Sequence, residues 1–278
     1  MKNKRTFLWC LMIGLAGIHS VRSHAAEPSF YYYFEDNNDP SMPTNSGEAP
    51  FALRYLGDTQ QTTTQHKFGK GSMLISELKG EAFLIGKGTG VVAMPSEFSD
   101  AISKMTITAW VRPSLPPEGQ TNCFKPGFNI LDRLVPEPAT GGSRGLGCFI
   151  YCFINGAFQL TYCSDGDKKV TNLRSAPIKY VESEEWVHMA VTFDAGKAVF
   201  YFNGLPVGDA DGSLTGAANI SEVQGRGILA GFFNSHPGDS IDDFGFFVDR
   251  ALTEAEMDTV YNKGLEAFVK SGSAALKK

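Results

Sequence analysis

Beyond its first residues the sequence has no block of lysine or arginine, no Gly-X-Y period, no C-x2-C pair and no apolar run of 18 residues. Each absence excludes something. Nucleic acid and anionic membrane surfaces are held by basic footprints, so neither is an expected partner. With 30 glycines and 14 prolines but no period, the chain is not collagen. Structural zinc favours paired C-x2-C spacings, and their lack argues against a zinc site. A membrane-spanning helix needs about 20 apolar residues, which no stretch supplies. What is present is ordinary globular composition, 42% hydrophobic and 20% charged over 278 residues, which argues against a wholly disordered chain.

The first residues read as a targeting segment. Lys2, Lys4 and Arg5 form a basic start, Phe7 to Ile18 is apolar, and Ser23 and Ala25 stand at the −3 and −1 positions of a cleavage site. This is the layout of a secretory signal peptide over residues 1–25; an uncleaved anchor is the alternative. Cleavage after Ala25 leaves 21 basic and 30 acidic residues, a net charge of −9. An acidic surface suits a secreted, cell-surface or periplasmic protein without membrane insertion, and it leaves oxygen ligands for a hard cation.

The rest reads as short strands parted by Gly, Pro, Asn and Asp. FYYYFE (30–35), MLISEL (73–78), AFLIG (82–86), MTITAWV (105–111), GILAGFF (227–233) and IDDFGFFVD (241–249) have strand composition. Two hairpins stand out. CFIYCFI (148–154) meets AFQLTYC (157–163) across Asn155-Gly156, and WVHMAVTFD (186–194) meets AVFYFNG (198–204). Near the end Thr253 is a good helix N-cap, Glu254 and Glu256 sit in the first turn, and Gly264 is a good stop. These elements predict an all-β fold, a two-sheet antiparallel sandwich with a short C-terminal helix. The domain spans residues 26–266, and 267–278 read as a flexible tail. Residues 113–147 read as a long irregular loop, the expected location of a ligand.

Four cysteines follow the signal segment, an even number that suggests two disulfides in an exported chain. A two-residue Asn155-Gly156 turn opposes Ile154 to Ala157 and therefore Cys148 to Cys163. Opposed Cα atoms lie about 4.5–5.5 Å apart, within bridging range. Cys152 then opposes Gln159, which leaves Cys123 as its partner. A four-residue turn would instead pair Cys152 with Cys163 and Cys123 with Cys148.

Six segments, in order, resemble the laminin-G-like, concanavalin A-like jelly-roll domains of secreted bacterial proteins. They are YYYFED (31–36), KFGKGSMLI (67–75), MTITAWVRP (105–113), EEWVHMAVTFD (184–194), VFYFNGLPVG (199–208) and IDDFGFFVDRALTEAEM (241–257). The resemblance implies a jelly roll whose relatives include sugar-binding modules, glycoside hydrolases and adhesion or spacer domains. It also implies a structural calcium ion, held by Glu35, Asp36 and Asp242 with Gly71 as a carbonyl donor.

Hydrolases of this kind place their carboxylates on one strand as E-x-D-x-E or E-x-D-x-x-E, and neither pattern occurs. Glu182, Glu184 and Glu185 precede a core strand and read as solvated. Gly141 to Gly145 fits G-x-S-x-G but lies in a loop before a strand, not at a strand-to-helix elbow. Gly225 to Ala230 fits a relaxed dinucleotide fingerprint without a βαβ unit. Trp110 and Trp186 read as core anchors and His188 as a structural histidine. The expected function is non-catalytic binding or adhesion outside the cytoplasm, to a polysaccharide or glycoprotein. The rivals are a spacer without sugar affinity and a glycoside hydrolase with an atypical pair.

Overall fold

Side chains alternate between the faces of a strand, so a strand apolar on both faces must be covered twice. That is the situation of the central strands here. The computed structural model describes residues 30–35, 53–55, 60–74, 90–92, 103–115, 127–137, 142–164, 169–178, 181, 184–211, 238–248 and 250–275. Its strands are β1 (Phe30–Tyr32), β2 (Leu53–Tyr55), β3 (Gln60–Thr62), β4 (Ser72–Leu74), β5 (Gly90–Val92), β6 (Lys104–Arg112) and β7 (Gly127–Glu137). Then come β8 (Gly142–Ile154), β9 (Ala157–Ser164), β10 (Lys169–Arg174), β11 (Val187–Asp194), β12 (Lys197–Phe202), β13 (Leu205–Asp211) and β14 (Ser240–Val248). Two helices follow, α1 (Glu254–Lys263) and α2 (Leu265–Ala275).

The larger sheet runs β13-β12-β11-β6-β14-β4-β3, with β1 also pairing β14. The smaller sheet runs β10-β9-β8-β7, and β2 pairs β5 separately. All described pairings are antiparallel. Between the two sheets lie Met105, Ile107 and Val111 of β6, Val187, Met189, Val191 and Phe193 of β11, and Tyr151, Phe158, Leu160 and Tyr162 of the smaller sheet. Tyr151 Oη donates to the Ala190 carbonyl at 3.0 Å and ties the layers. This is the sandwich the strand pattern predicts.

The opposite face of the larger sheet is covered as well. Tyr31, Tyr33, Ala190, Tyr201 and Phe247 meet Leu252, Met257, Val260, Leu265 and Phe268 in a second core. Thr253 caps α1 through a capping box with Glu256, and Gly264 caps its C-terminus, as the sequence predicts. The chain then departs from the expected frayed tail. Leu265, Phe268 and Val269 repeat at helical spacing, and α2 lays them against the sheet. Gly264 thus parts two helices.

The 113–147 segment also differs from expectation, because it contains β7 and the start of β8. Pro136 pairs with Ser143 there. A strand proline is tolerated because, among the described residues, β7 is the last strand of its sheet, where the missing N–H breaks no further ladder. Ser143 of the G-x-S-x-G run is therefore a strand residue.

Asn155 and Gly156 adopt φ of 50° and 74°, the two-residue turn that the sequence predicts. Ile154 faces Ala157, and the register continues to Phe149 opposite Tyr162. Continued by one step, that register would oppose Cys148 to Cys163. Cys152, expected to bridge to Cys123, is a free buried thiol, pushed up to about 11 by burial. Cys123 lies outside the described residues. We propose the Cys148–Cys163 bridge, and non-reducing peptide mapping of protein from an oxidising compartment is expected to recover it. Alkylation of both thiols before reduction would refute it.

Candidate functional site

The junction between the larger sheet and its outer layer is built on one irregularity. Along β14, Asp242 pairs with Trp110 and Gly245 with Thr108, so one extra residue is inserted. Asp243 sits there at φ 47°, a bulge conformation that a short polar side chain tolerates. In a regular strand consecutive side chains would point to opposite faces. Here Asp242 and Asp243 are both buried beside the outer layer, while Phe244 returns to the inner core.

Each carboxylate holds a different piece of backbone. Asp242 Oδ2 accepts from Lys67 N at 2.7 Å and Phe68 N at 3.0 Å, and its Oδ1 accepts from Asp243 N at 2.8 Å. Asp243 Oδ2 accepts from Leu265 N at 2.7 Å, at the start of α2, where a helix end favours negative charge. Glu35 accepts from Lys70 N at 2.8 Å and 2.7 Å with its two oxygens. Gly69 beside it has φ 59°, a left-handed conformation that favours glycine.

Next to the bulge lies a closely packed polar-aromatic row. Trp110 stacks on Tyr261 of α1 at 5.2 Å and 17°, and lies 5.2 Å from His188. Lys67 Nζ sits 4.1 Å from the Trp110 ring centroid, a cation–π contact. His188 Nε2 and Thr108 Oγ1 are 2.8 Å apart. Trp110 Nε1 and His188 Nδ1 are buried without a hydrogen-bond partner among the described residues. Burial, aided by Lys67, pulls His188 down to about 3, so it is a neutral structural residue, as expected. Trp110 is a buried anchor under α1, not between the sheets; Trp186 is half-buried at the entry to β11.

The expected calcium ligands divide differently. Asp36 lies outside the described residues. Asp242 and Glu35 are engaged by amide donors, the wrong polarity for a cation shell. Gly71 backs onto the chain, where a Cβ would lie 2.4 Å from the Phe34 carbonyl oxygen. Among the described residues no three His, Cys, Asp or Glu side chains are grouped to hold a metal. As placed, the described members of the set do not fit a calcium ion at Asp242. The sequence reading selected Asp242 and Glu35 but missed Asp243, because alternation would have turned it into the core. The segments carrying the dinucleotide-like run and the signal layout also lie outside the described residues. No described helix is long and apolar enough to cross a membrane.

Beside the bulge a cleft of about 220 Å³ opens between the 67–70 loop and the helix junction, lined by Glu35, Phe68, Asp243, Lys263 and Glu266 among others. The second exposed polar surface is on the smaller sheet. Phe158, Leu160, Tyr162 and Leu173 face the core, so Gln159, Thr161, Asn172 and Arg174 face away from it. Thr161 Oγ1 donates to Asn172 Oδ1 at 2.6 Å, and Gln159 Nε2 donates to Thr161 Oγ1 at 3.1 Å. The pairing register aligns Thr161 with Asn172 and Gln159 with Arg174. Glu184 and Glu185 are exposed, as expected of solvated residues.

This architecture has a family. The model of the concanavalin A-like lectin/glucanases superfamily, of laminin G type, matches residues 86–257, and the chain belongs to that superfamily. No curated protein matches it in sequence. Among solved structures, the chain is similar to the binding domain of Paraclostridial Mosquitocidal Protein 1, with TM-score 0.56, 14% identity, and 84% of this chain and 51% of that one covered. It is also similar to the botulinum neurotoxin serotype D ligand-binding domain in complex with N-acetylneuraminic acid, with TM-score 0.51, 13% identity and coverage of 85% and 50%. A third is from work on botulinum neurotoxin type C, whose cell entry depends on interaction with two ganglioside molecules; here TM-score is 0.52, identity 16%, and coverage 84% and 50%. The chain spans about half the length of these structures, and at these identities the likeness is one of fold.

The buried carboxylates give stability a definite pH dependence. Burial, with the charge of Asp243, pushes Asp242 up to about 8; burial, with Glu35 and Glu266, pushes Asp243 up to about 7. Their amide donors pull the other way without reversing this. The folded state therefore holds protons that the unfolded chain releases near 3.8, and stability falls as pH rises through the folded values. His188 works oppositely, but its contribution is complete above its ordinary value of 6.5. Chemical denaturation is expected to show stability falling between about pH 6.5 and 8. The fall should be smaller in Asp243→Asn, which keeps an acceptor for Leu265 N; an unchanged slope in that variant would contradict the assignment.

Proposed function

We propose that the protein is a non-catalytic carbohydrate-binding module acting outside the cytoplasm, with the outer face of the smaller sheet as its ligand platform. The observation that carries this is the run of uncharged amide and hydroxyl groups at Gln159, Thr161 and Asn172, bordered by the exposed Arg174. Amide and hydroxyl side chains both donate and accept, which suits a hydroxyl-rich ligand. Superfamily membership supports the reading, as does the sugar bound to one fold neighbour. Strand β7, from the segment expected to hold a ligand, belongs to the same sheet. The carboxylates Glu35, Asp242 and Asp243 each hold backbone amides. The signal-peptide layout supports the location.

A glycan array probed with the mature chain is expected to retain defined glycans without releasing products. Gln159→Ala combined with Asn172→Ala should weaken retention at least tenfold with the melting temperature nearly unchanged, because both groups face away from the core. Silence on the array would favour the spacer reading, and product release would establish a hydrolase. Either would overturn the proposal.

A further inference from the structure

The chain has two Asn-Gly pairs, Asn155-Gly156 and Asn203-Gly204, and each makes the tight turn of a hairpin. Their backbones are alike: φ is 50° and 74° at the first pair, 48° and 78° at the second. Asparagine before glycine is open to an internal reaction, because glycine has no side chain to keep its nitrogen from the asparagine side-chain carbon. Two pairs of the same sequence and turn conformation then differ through what the fold places around them.

Asn203 is held. Its Oδ1 accepts from His188 N at 2.9 Å, and its own N donates to the His188 carbonyl at 2.9 Å. Tyr261 covers Gly204, where a Cβ would lie 2.6 Å from the ring. Asn155 is exposed, and its side chain has no hydrogen-bond partner among the described residues. Gly156 is tied through its carbonyl, which accepts from Ile178 N at 2.7 Å, so that bond leaves its own nitrogen free. Among the described residues the nearest atom to a Cβ placed at Gly156 is the Ile178 carbonyl oxygen, 3.9 Å away, and the tip has room for a five-membered ring.

We infer that Asn155 is a site of spontaneous modification, converted through a succinimide to aspartate and isoaspartate, while the fold protects Asn203. The Gly156 nitrogen gives up its proton and bonds to Asn155 Cγ; the Cγ–Nδ2 bond breaks, and the side-chain nitrogen leaves with that proton as ammonia. Water then opens the succinimide at either of its carbonyls. The product carries a new carboxylate next to Ile154, whose carbonyl accepts from Arg174 Nη2 at 3.0 Å. Isoaspartate also adds one carbon to the main chain inside the turn that sets the β8–β9 register. None of this depends on carbohydrate binding.

The test is peptide mapping of the full chain after timed incubation in mildly alkaline buffer, folded and in denaturant, with fragmentation that separates aspartate from isoaspartate. In the folded chain Asn155 is expected to convert at least tenfold faster than Asn203, with isoaspartate among its products. In denaturant the two sites should convert at similar rates, because the protection of Asn203 comes from His188 and Tyr261. Asn155 persisting in the folded chain while both sites convert in denaturant would overturn the inference, as would equal rates at the two sites in the folded chain. A tenfold difference that survives in denaturant would also overturn it, since local sequence and not the fold would then set the choice.

Discussion

The constraint on which the outer half of the molecule depends is the single-residue bulge in β14. An unbroken strand could present only one of two consecutive aspartates to the outer layer. With Asp243 at φ 47°, both are buried at the junction, and each fixes a separate segment. Asp242 holds the backbone at Lys67 and Phe68, while Asp243 holds the first amide of α2. Buried donors left without acceptors cost about 1–3 kcal/mol each, so the loop and the helix are bound to the sheet by groups that cannot be removed cheaply. The same burial makes the two carboxyls compete, and that competition shapes the stability profile.

Because α1 and α2 cover the larger sheet, the molecule divides its surfaces. Trp110 and His188 look like sugar-stacking and acid–base candidates in a list of residues, but Tyr261 closes over both. The smaller sheet instead presents Thr161 and Asn172 outward, with hydrogen bonds already spanning neighbouring strands. A ligand on the proposed platform would meet side chains held in place by each other. Such groups on paired strands would lose little freedom on association.

Much of the fold was legible because its signals are local. Asn155-Gly156 specified the turn, and with it the β8–β9 register. Thr253 with Glu256 specified the start of α1. Six ordered segments identified the superfamily. What escaped were features set by partners distant in sequence. Gly264 reads as a stop, yet Leu265 and Phe268 continue a helix because Tyr31, Phe247 and their neighbours offer an apolar face to cover. Pro136 and the glycines around 142–147 read as loop, yet an edge position lets them pair. The resemblance led to Asp242 and Glu35, but strand alternation hid Asp243. Only the pairing with β6 reveals the inserted residue.

The claim that the two aspartates act as separate clasps is tested most directly by amide hydrogen exchange, residue by residue, in Asp242→Ala and Asp243→Ala. The account predicts that Asp242→Ala accelerates exchange at Lys67 and Phe68 at least tenfold while Leu265 keeps its protection. Asp243→Ala should do the reverse, with the β11 amides unchanged in both. Equal loss at all three amides in either variant, or protection unaltered in both, would contradict it.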